Sequence, residues 1–438
     1  MNLLVVVANY PHSGHPYSGA FNERSARALK QLGHRIEVLA PRPYLPRGLA
    51  KVNPRWRAYD QISEQETRDG VAVFRPAYLQ LPGIKGLLPP DRCAYFSCVR
   101  EVERRHSKEA YDAILAFNMI GAGGLAWRLG RRLDIPAAGW ATGNDVRVAV
   151  HSAHGRAVRA AIQRLDLVFY QSAELLERAA ALCELPKEVF SATRHVVLAR
   201  GVEPAPAQAD GARRSMRAHL DVQGDETLVL FVGRIAKAKG VFDLIDALEH
   251  ARREQPKIVC ALLGLHEGFD DGAVLRARLA RAPETARHVR LLPGCTPEAV
   301  WQYLNAADIF AFPSHSEGMP NSLLEAMASG LPALAYAIPP VLEIDSQRGA
   351  VMTVPLRDVG ALAQALAELA SSAELRRQLG ARGKERVLNH YQARASMAEA
   401  ARRLNGLRQC AASAFGASTD APVLSADSIR SGLSRNSH

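Results

Sequence analysis

Glu317 and Glu325 stand eight residues apart in Ser316-Glu317-Gly318-Met319-Pro320-Asn321-Ser322-Leu323-Leu324-Glu325-Ala326-Met327-Ala328-Ser329-Gly330. The first sits on a glycine-flanked loop and the second inside a run with helical character. Pro320 suits the first turn of that helix, and Gly330 suits the residue just past its end. Such a helix points its free N–H groups and its positive dipole end at the loop, which favours an anion there. Two carboxylates beside an anion site repel phosphate. They suit hydroxyl groups instead, such as those of a ribose and a second sugar. An amphipathic surface helix with two solvated glutamates would have the same spacing, so the neighbouring motifs decide between the two.

The second block is Leu228-Val229-Leu230-Phe231-Val232-Gly233-Arg234-Ile235-Ala236-Lys237-Ala238-Lys239-Gly240-Val241. An apolar run of strand length ends at Gly233-Arg234. Lys239-Gly240 follows, and then Val241, Leu244, Ile245 and Leu248 take up helical spacing. In open α/β sheets ligands gather at the carboxyl ends of strands. Arg234 and Lys239 therefore project from one strand-to-helix loop as a planar fork and a compact point charge, a suitable clamp for a diphosphate.

Together these blocks, V-G-R-x4-K-G and E-G-M-P-N-S-x2-E-A-M-A-x-G, resemble the retaining nucleotide-sugar glycosyltransferases of family four, the glycosyl transferases group 1. The resemblance is densest from Leu228 to Tyr336. It implies the GT-B architecture: α/β, with two Rossmann-like domains whose parallel, doubly wound sheets face each other across a cleft. It also implies a donor held mainly by the second domain. Arg234, Lys239 and Glu317 are then the expected catalytic groups. Gly233, Gly318, Met319, Pro320, Asn321 and Glu325 are expected to line the donor site, with Glu325 on the ribose diol.

The elements needed to position these groups follow a repeating βα order. Strand Leu3–Ala8 leads through a loop to helix Asn22–Leu32, which ends at Gly33 before strand Arg35–Leu39. After a long variable region come strand Ala113–Ala116, helix Gly123–Leu133, and strands Ala137–Trp140, Leu167–Tyr170 and Val196–Leu198. The Pro- and Ala-rich segment Gly201–Asp210 reads as the crossover between domains. Strands Leu228–Val232, Ile258–Leu263, Val289–Leu292, Ile309–Phe312, Ala333–Ala335 and Val351–Val354 follow. The alternation implies parallel sheets. The expected division is 1–200 for an acceptor-side domain and 201–390 for a donor domain. Residues 391–410 form a helix that, by the resemblance, returns to the first domain, and 411–438 a disordered tail.

Two further loops of the first half carry candidate residues. Asn9–Phe21 leaves the first strand with Gly14 and Gly19, either of which can bring backbone N–H groups against a phosphate or sugar. The family's adjacent glycine pair is absent here. Trp140-Ala141-Thr142-Gly143-Asn144-Asp145-Val146 resembles the family's H-G-x-D segment, with Thr142 in the histidine's place. Asp145 is expected to accept a hydroxyl of donor or acceptor, or else to cap the helix after it. His315 can touch the donor, and Gly264–Gly268 occupies the place of a nucleotide-base loop.

Length and composition fit this scheme. A chain of 438 residues exceeds one ordinary core, and 48% hydrophobic with 23% charged residues is usual for a globular protein. The apolar start, Leu3 to Ala8, reads as a first buried strand rather than a leader, and no run reaches membrane-spanning length. Six scattered cysteines without C-x2-C spacing suit inert thiols in a reducing compartment. Residues 1–200 hold 28 Lys and Arg against 18 Asp and Glu, whereas residues 201–438 hold 27 against 26. Such asymmetry points to an anionic partner for the first half, either a membrane surface or a lipid-phosphate-linked acceptor. Nucleic acid is disfavoured, since no nucleic-acid module accompanies the charge. The apolar, Pro/Gly/Lys-bearing stretch Tyr78–Pro90 is equally suited to dipping into headgroups or packing on its own domain.

The resemblance implies an enzyme moving sugar from a nucleoside-diphosphate sugar to a glycan or lipid-linked acceptor in surface polysaccharide or glycolipid synthesis. It implies retention of anomeric configuration and no metal or cofactor, since protein cations serve the diphosphate and the D-x-D motif is missing. The expected place of action is the cytoplasm, with peripheral contact at the inner membrane face as a further expectation. A GT-B nucleotide-sugar epimerase or hydrolase, and a silent GT-B binding or scaffold protein, are the alternatives.

Overall fold

A computed structural model describes residues 1–13, 18–44, 62–79, 89–147, 152, 154–184, 190, 194–266 and 270–419, with side chains to residue 410. Gly14, His15 and residues 80–88 of the proposed headgroup loop lie outside the described residues.

The N-terminal domain is built on β1 (Asn2–Val7), β2 (Arg35–Leu39), β3 (Arg42–Pro43), β4 (Gln65–Arg68), β5 (Val71–Phe74), β6 (Ala77–Tyr78), β7 (Ala113–Phe117), β8 (Ala137–Ala141), β9 (Leu167–Tyr170) and β10 (His195–Val197). Eight of these form one sheet in the order β10-β9-β8-β7-β1-β2-β5-β4, and β3 pairs with β6 in a separate ribbon. All ladders of the large sheet are parallel except β4–β5, which is antiparallel. The short strands β3 to β6 fall in the region where the sequence carries no clear periodicity.

Strand alternation divides the core in two. Leu3, Val5 and Val7 of β1 enter one cluster, and Leu4 and Val6 enter another on the opposite face. The first cluster is completed by Met397, Ala400, Ala401 and Leu404 of the last helix, Ala393–Thr419. The chain's end thus supplies part of the N-terminal core. This helix runs nine residues beyond Cys410, into the stretch that composition alone suggests is disordered.

The C-terminal domain is a six-stranded parallel sheet of β11 (Thr227–Val232), β12 (Ile258–Leu265), β13 (Val289–Pro293), β14 (Ile309–Phe312), β15 (Ala333–Tyr336) and β16 (Met352–Val354). Its order is β13-β12-β11-β14-β15-β16. The order reverses between β11 and β14, and such a switch point opens a crevice at the carboxyl ends of the strands. The central strands β11, β12, β14 and β15 are largely continuous apolar runs, as expected of strands covered on both faces. Between β14 and β15 lies helix Asn321–Ala328, with Leu323, Leu324, Ala326, Met327 and Ala328 all buried.

Two strands of chain cross between the domains, and they are joined where Val202 bridges Gln392. The Val202 N–H donates to the Tyr391 carbonyl at 2.8 Å, and the Ala393 N–H donates to the Val202 carbonyl at 2.9 Å. Two Rossmann-like domains facing across a cleft is the GT-B arrangement.

Candidate active site

Both motif blocks leave strands that flank the switch point. β11 ends at Val232, and Gly233-Arg234 begins the loop that reaches Lys239 through a short 3-10 turn, Lys237–Lys239. β14 ends at Phe312, and the loop after it carries Ser314 to Pro320 into helix Asn321–Ala328. The His315 N–H donates to the Ala238 carbonyl at 3.0 Å, pinning one loop to the other. Lys239 Nζ lies 2.5 Å from Glu317 Oε1. Ser314, almost fully buried, donates its hydroxyl to the same oxygen at 2.7 Å.

These loops open on one cavity of about 370 Å³. Gly233, Arg234, Lys239, Glu317, Met319, Pro320, Asn321 and Glu325 line it together. Its apolar wall is Phe231, Val232, Cys295, Pro297, Val300 and Phe312. Arg234 is exposed to this space and makes no ion pair among the described residues. Lys239 is tied to Glu317, so the pair presents little net charge and Arg234 leaves the rim positive. The adjoining helix adds the unpaired N–H groups of its first turn. Pro320 stands at the position capping that helix rather than within its first turn.

The N-terminal domain contributes Ala20, Phe21 and Arg24. They lie on helix Ala20–Gln31, which starts at Gly19 in the left-handed region (φ 77°). A side chain at Gly19 would meet the Asn9 carbonyl oxygen at 2.5 Å, so only glycine permits this start. Arg24 reaches across the cleft, its Nη1 lying 2.5 Å from Glu325 Oε1. Glu325 is only 6% exposed. Burial pushes its carboxyl above the usual range, and the charge and hydrogen bond of Arg24 oppose that shift.

Behind this helix lies Arg200, at the domain crossover. Its guanidinium donates to Ser25 Oγ at 2.7 Å, Asn22 Oδ1 at 3.0 Å and the Phe21 carbonyl at 2.5 Å, and it sits 4.3 Å from the centre of the Phe117 ring. Burial pulls it down to about 9, still charged at neutral pH. Arg200 thereby fixes the turn that aims Phe21 and Arg24.

Gly318 does not line the cavity. Here the two backbones pack closely across the cleft, since a Cβ at Gly318 would lie 2.6 Å from the Gly143 Cα and 2.8 Å from the Thr142 carbonyl oxygen. Nearby, Arg147 Nη1 donates to Ser316 Oγ at 2.6 Å. These contacts hold the loop of Glu317 against the segment Thr142–Arg147.

Asp145 does not take the part of a hydroxyl acceptor. It is fully buried, and its carboxylate accepts the backbone N–H groups of Met119, Thr142, Gly143 and Val146 at 2.8 to 3.1 Å. It ties the start of helix Asn144–Arg147 to the turn after β7, the capping alternative in extended form. His315 likewise turns from the cavity to Asp243 Oδ2 at 2.9 Å, an oxygen that Tyr336 also donates to at 3.0 Å. Of the proposed base loop, Gly264 to His266 are absent from the cavity lining, and Cys295, Pro297 and Val300 stand there instead.

Sequence reading misses Arg24, Phe21 and Arg200. Their only local signal is their place after Gly19 or at the crossover, because their roles depend on packing between domains.

The profile of the glycosyl transferases group 1 family matches residues 212–386. The chain is 29% identical over 371 residues to the putative teichuronic acid biosynthesis glycosyltransferase TuaC of Bacillus subtilis, covering 84% of this chain and 88% of that protein. It is 28% identical over 295 residues to D-inositol 3-phosphate glycosyltransferase of Kineococcus radiotolerans, covering 62% and 65%. Among solved structures, sucrose-phosphate synthase from Thermosynechococcus elongatus superposes with a TM-score of 0.70 at 20% identity, covering 94% of this chain and all of that one. Anabaena Alr3699/HepE in complex with UDP and glucose gives 0.69 at 17%, covering 93% and 100%.

Proposed function

We propose, for a chain that carries a glycosyl transferases group 1 domain in a GT-B fold, that the cavity takes a nucleoside-diphosphate sugar and passes its sugar to a glycan or lipid-linked acceptor with retention. The carrying observation is Arg234, a cation on the cavity rim with no carboxylate partner among the described residues. It stands beside Lys239 and a helix N-terminus, so a dianionic leaving group meets donors already in place.

In this reading the bond between the anomeric carbon and the diphosphate oxygen breaks as oxocarbenium character develops. Arg234, Lys239 and the first turn of helix Asn321–Ala328 take up the departing charge. The acceptor hydroxyl attacks from the face being vacated and gives its proton to the leaving phosphate oxygen. No side-chain nucleophile is required, and protein cations do the work a metal does elsewhere. Glu317, held by Lys239 and Ser314, orients sugar hydroxyls, and Glu325 accepts the ribose diol. Glycan synthesis at the cell surface is suggested by the likeness to a teichuronic acid enzyme.

The acceptor-side domain fits an anionic membrane surface. No helix among the described residues is long and apolar enough to cross a membrane. On helix Pro90–Lys108, Phe96 is 78% exposed, with the exposed Arg92 and Arg100 one turn to either side. Neither arginine makes an ion pair among the described residues, whereas Arg104 and Arg105 both pair with Glu101. Leu79, 58% exposed, follows β6, which packs on this helix.

A thermal-shift screen over UDP-, GDP- and ADP-sugars tests the donor reading. One nucleotide class is expected to raise the melting temperature of the parent but not of Arg234→Ala. Product analysis with that donor, with and without glycan acceptors and in the presence of EDTA, separates transfer from hydrolysis or epimerisation. No stabilisation by any nucleotide sugar would exclude the reading.

A further inference from the structure

We propose that Arg24 is the acceptor-side domain's contribution to the donor site, crossing the cleft to hold Glu325 as an ionised acceptor for the ribose hydroxyls. The donor is then gripped fully only when the domains are closed. This rests on the reading of Glu325 given above.

The geometry supports a functional rather than an incidental pair. Both side chains line the cavity, and their side chains are only 13% and 7% exposed. Arg24 occupies one oxygen of Glu325, and the other has no hydrogen-bond partner among the described residues. A buried carboxyl without a cation tends to take up a proton, and a protonated carboxyl is a poor acceptor for two hydroxyls. Arg24 is the cation hydrogen-bonded to it, whereas the nearby charge of Glu203 works the other way. Glu203 is itself occupied by Arg27, one turn along the same helix, at 2.8 Å.

Arg24 and Glu325 belong to different domains, so opening of the cleft separates them. The donor's ribose then faces a carboxyl that is harder to ionise. Closure restores the acceptor, and binding of the ribose favours closure by the same amount. Placement of Arg24 is set from behind by the Arg200 clamp on Phe21, Asn22 and Ser25, adjoining the crossover where the domains join. The Phe21 ring, 5.5 Å from the guanidinium carbon, lies beside it.

Calorimetric titration of the full chain with UDP, GDP and ADP identifies the nucleoside diphosphate that binds. Its 2′-deoxy counterpart is then compared on the parent, Arg24→Met, Arg24→Lys and Glu325→Gln, each checked for a native melting transition. The parent should prefer the ribonucleotide about tenfold, the usual worth of a hydrogen bond to a charged group. Arg24→Met should weaken the ribonucleotide about tenfold and leave the deoxynucleotide nearly unchanged, erasing the preference, and Arg24→Lys should recover part of it. Equal weakening of both ligands by Arg24→Met would reduce Arg24 to a domain contact and overturn the inference. Preserved discrimination in Arg24→Met with lost discrimination in Glu325→Gln would overturn it alone. Preserved discrimination in Glu325→Gln would instead remove Glu325 from the ribose site.

Discussion

The C-terminal domain places its chemistry on loops that leave β11 and β14, a few residues beyond each strand end, whereas the N-terminal domain reaches the same cavity from the side of a helix. Arg234, Lys239 and Glu317 need only their own sheet to meet. Arg24 needs Arg200, the crossover and the closeness of two domains. The groups proposed to bear the reaction's charge are therefore all carried by one domain. Those that report domain position are carried by the other. If so, substitutions in the two domains should fail differently.

The largest loss is expected at Arg234. Arg234→Ala removes an unpaired cation without leaving a buried carboxylate behind, so folding should be unaffected. The transfer rate should fall about 10²- to 10³-fold, the usual effect of deleting one preorganised donor at a developing charge. Initial rates under saturating donor and a melting curve measure both quantities. A loss below tenfold would move the leaving-group role to other residues.

Gly318→Val probes the boundary between the domains. Its Cβ would lie 2.6 Å from the Gly143 Cα, and backbone cannot rotate away as a side chain can. The domains should be held apart, lowering kcat/KM by up to about 10²-fold, as displacement of about 1 Å can. Donor binding to the C-terminal loops should weaken much less. Small-angle scattering should show a larger radius of gyration. An unchanged radius together with full activity would mean that this contact is not made during turnover.

The contrast also explains what the sequence discloses. Strands β9 and β14 are legible to the residue because a parallel sheet covered on both faces writes each as an uninterrupted apolar run, and β2 because its apolar residues alternate with Arg35 and Glu37. Arg234, Lys239 and Glu317 stand out only because two motif blocks occur together, since either block alone reads as ordinary surface charge; the fold brings all three to one cavity. The short strands β3, β4 and β6 are partly exposed, two to four residues long, and lack a period to detect, whereas β5 is largely buried but only four residues long. Arg24 looks like any arginine on an amphipathic helix, since its partner lies 301 positions away. Asp145 misleads for the converse reason. A motif-like carboxylate at a strand end reads as a substrate ligand until its N–H donors are seen.

On the N-terminal domain, Phe96→Ser with Arg92→Glu and Arg100→Glu tests the membrane face. Sedimentation with vesicles of phosphatidylglycerol should fall about tenfold or more relative to the parent, each arginine near an anionic surface contributing about 1 kcal/mol. Vesicles of phosphatidylcholine should bind neither protein well, and raised salt should release the parent. Turnover of a water-soluble acceptor should not change, because this helix does not line the cavity. Undiminished sedimentation would place the membrane contact elsewhere or nowhere.

The smallest effect concerns stability and belongs to the N-terminal core alone. His195 on β10 is bonded through Nδ1 to the Tyr170 hydroxyl at 3.0 Å and packs on Phe190 with ring centres 4.0 Å apart. Burial, with the charge of Arg194, lowers it to about 4. The unfolded chain takes up a proton near 6.5, which the folded chain refuses until about 4. Stability from the neutral ring is therefore complete above 6.5 and is lost as the pH falls towards 4. His195→Gln keeps a hydrogen-bonding group beside Tyr170 and removes the titration. Between pH 7.5 and 5 the parent's melting temperature should fall a few degrees further than the variant's, the scale set by about 2–4 °C per kcal/mol for a domain of this size. The C-terminal domain has no histidine so deeply shifted among the described residues. Added nucleotide should therefore raise both melting curves without altering the difference between them, and equal acid shifts in the two proteins would show that His195 is protonated in the fold.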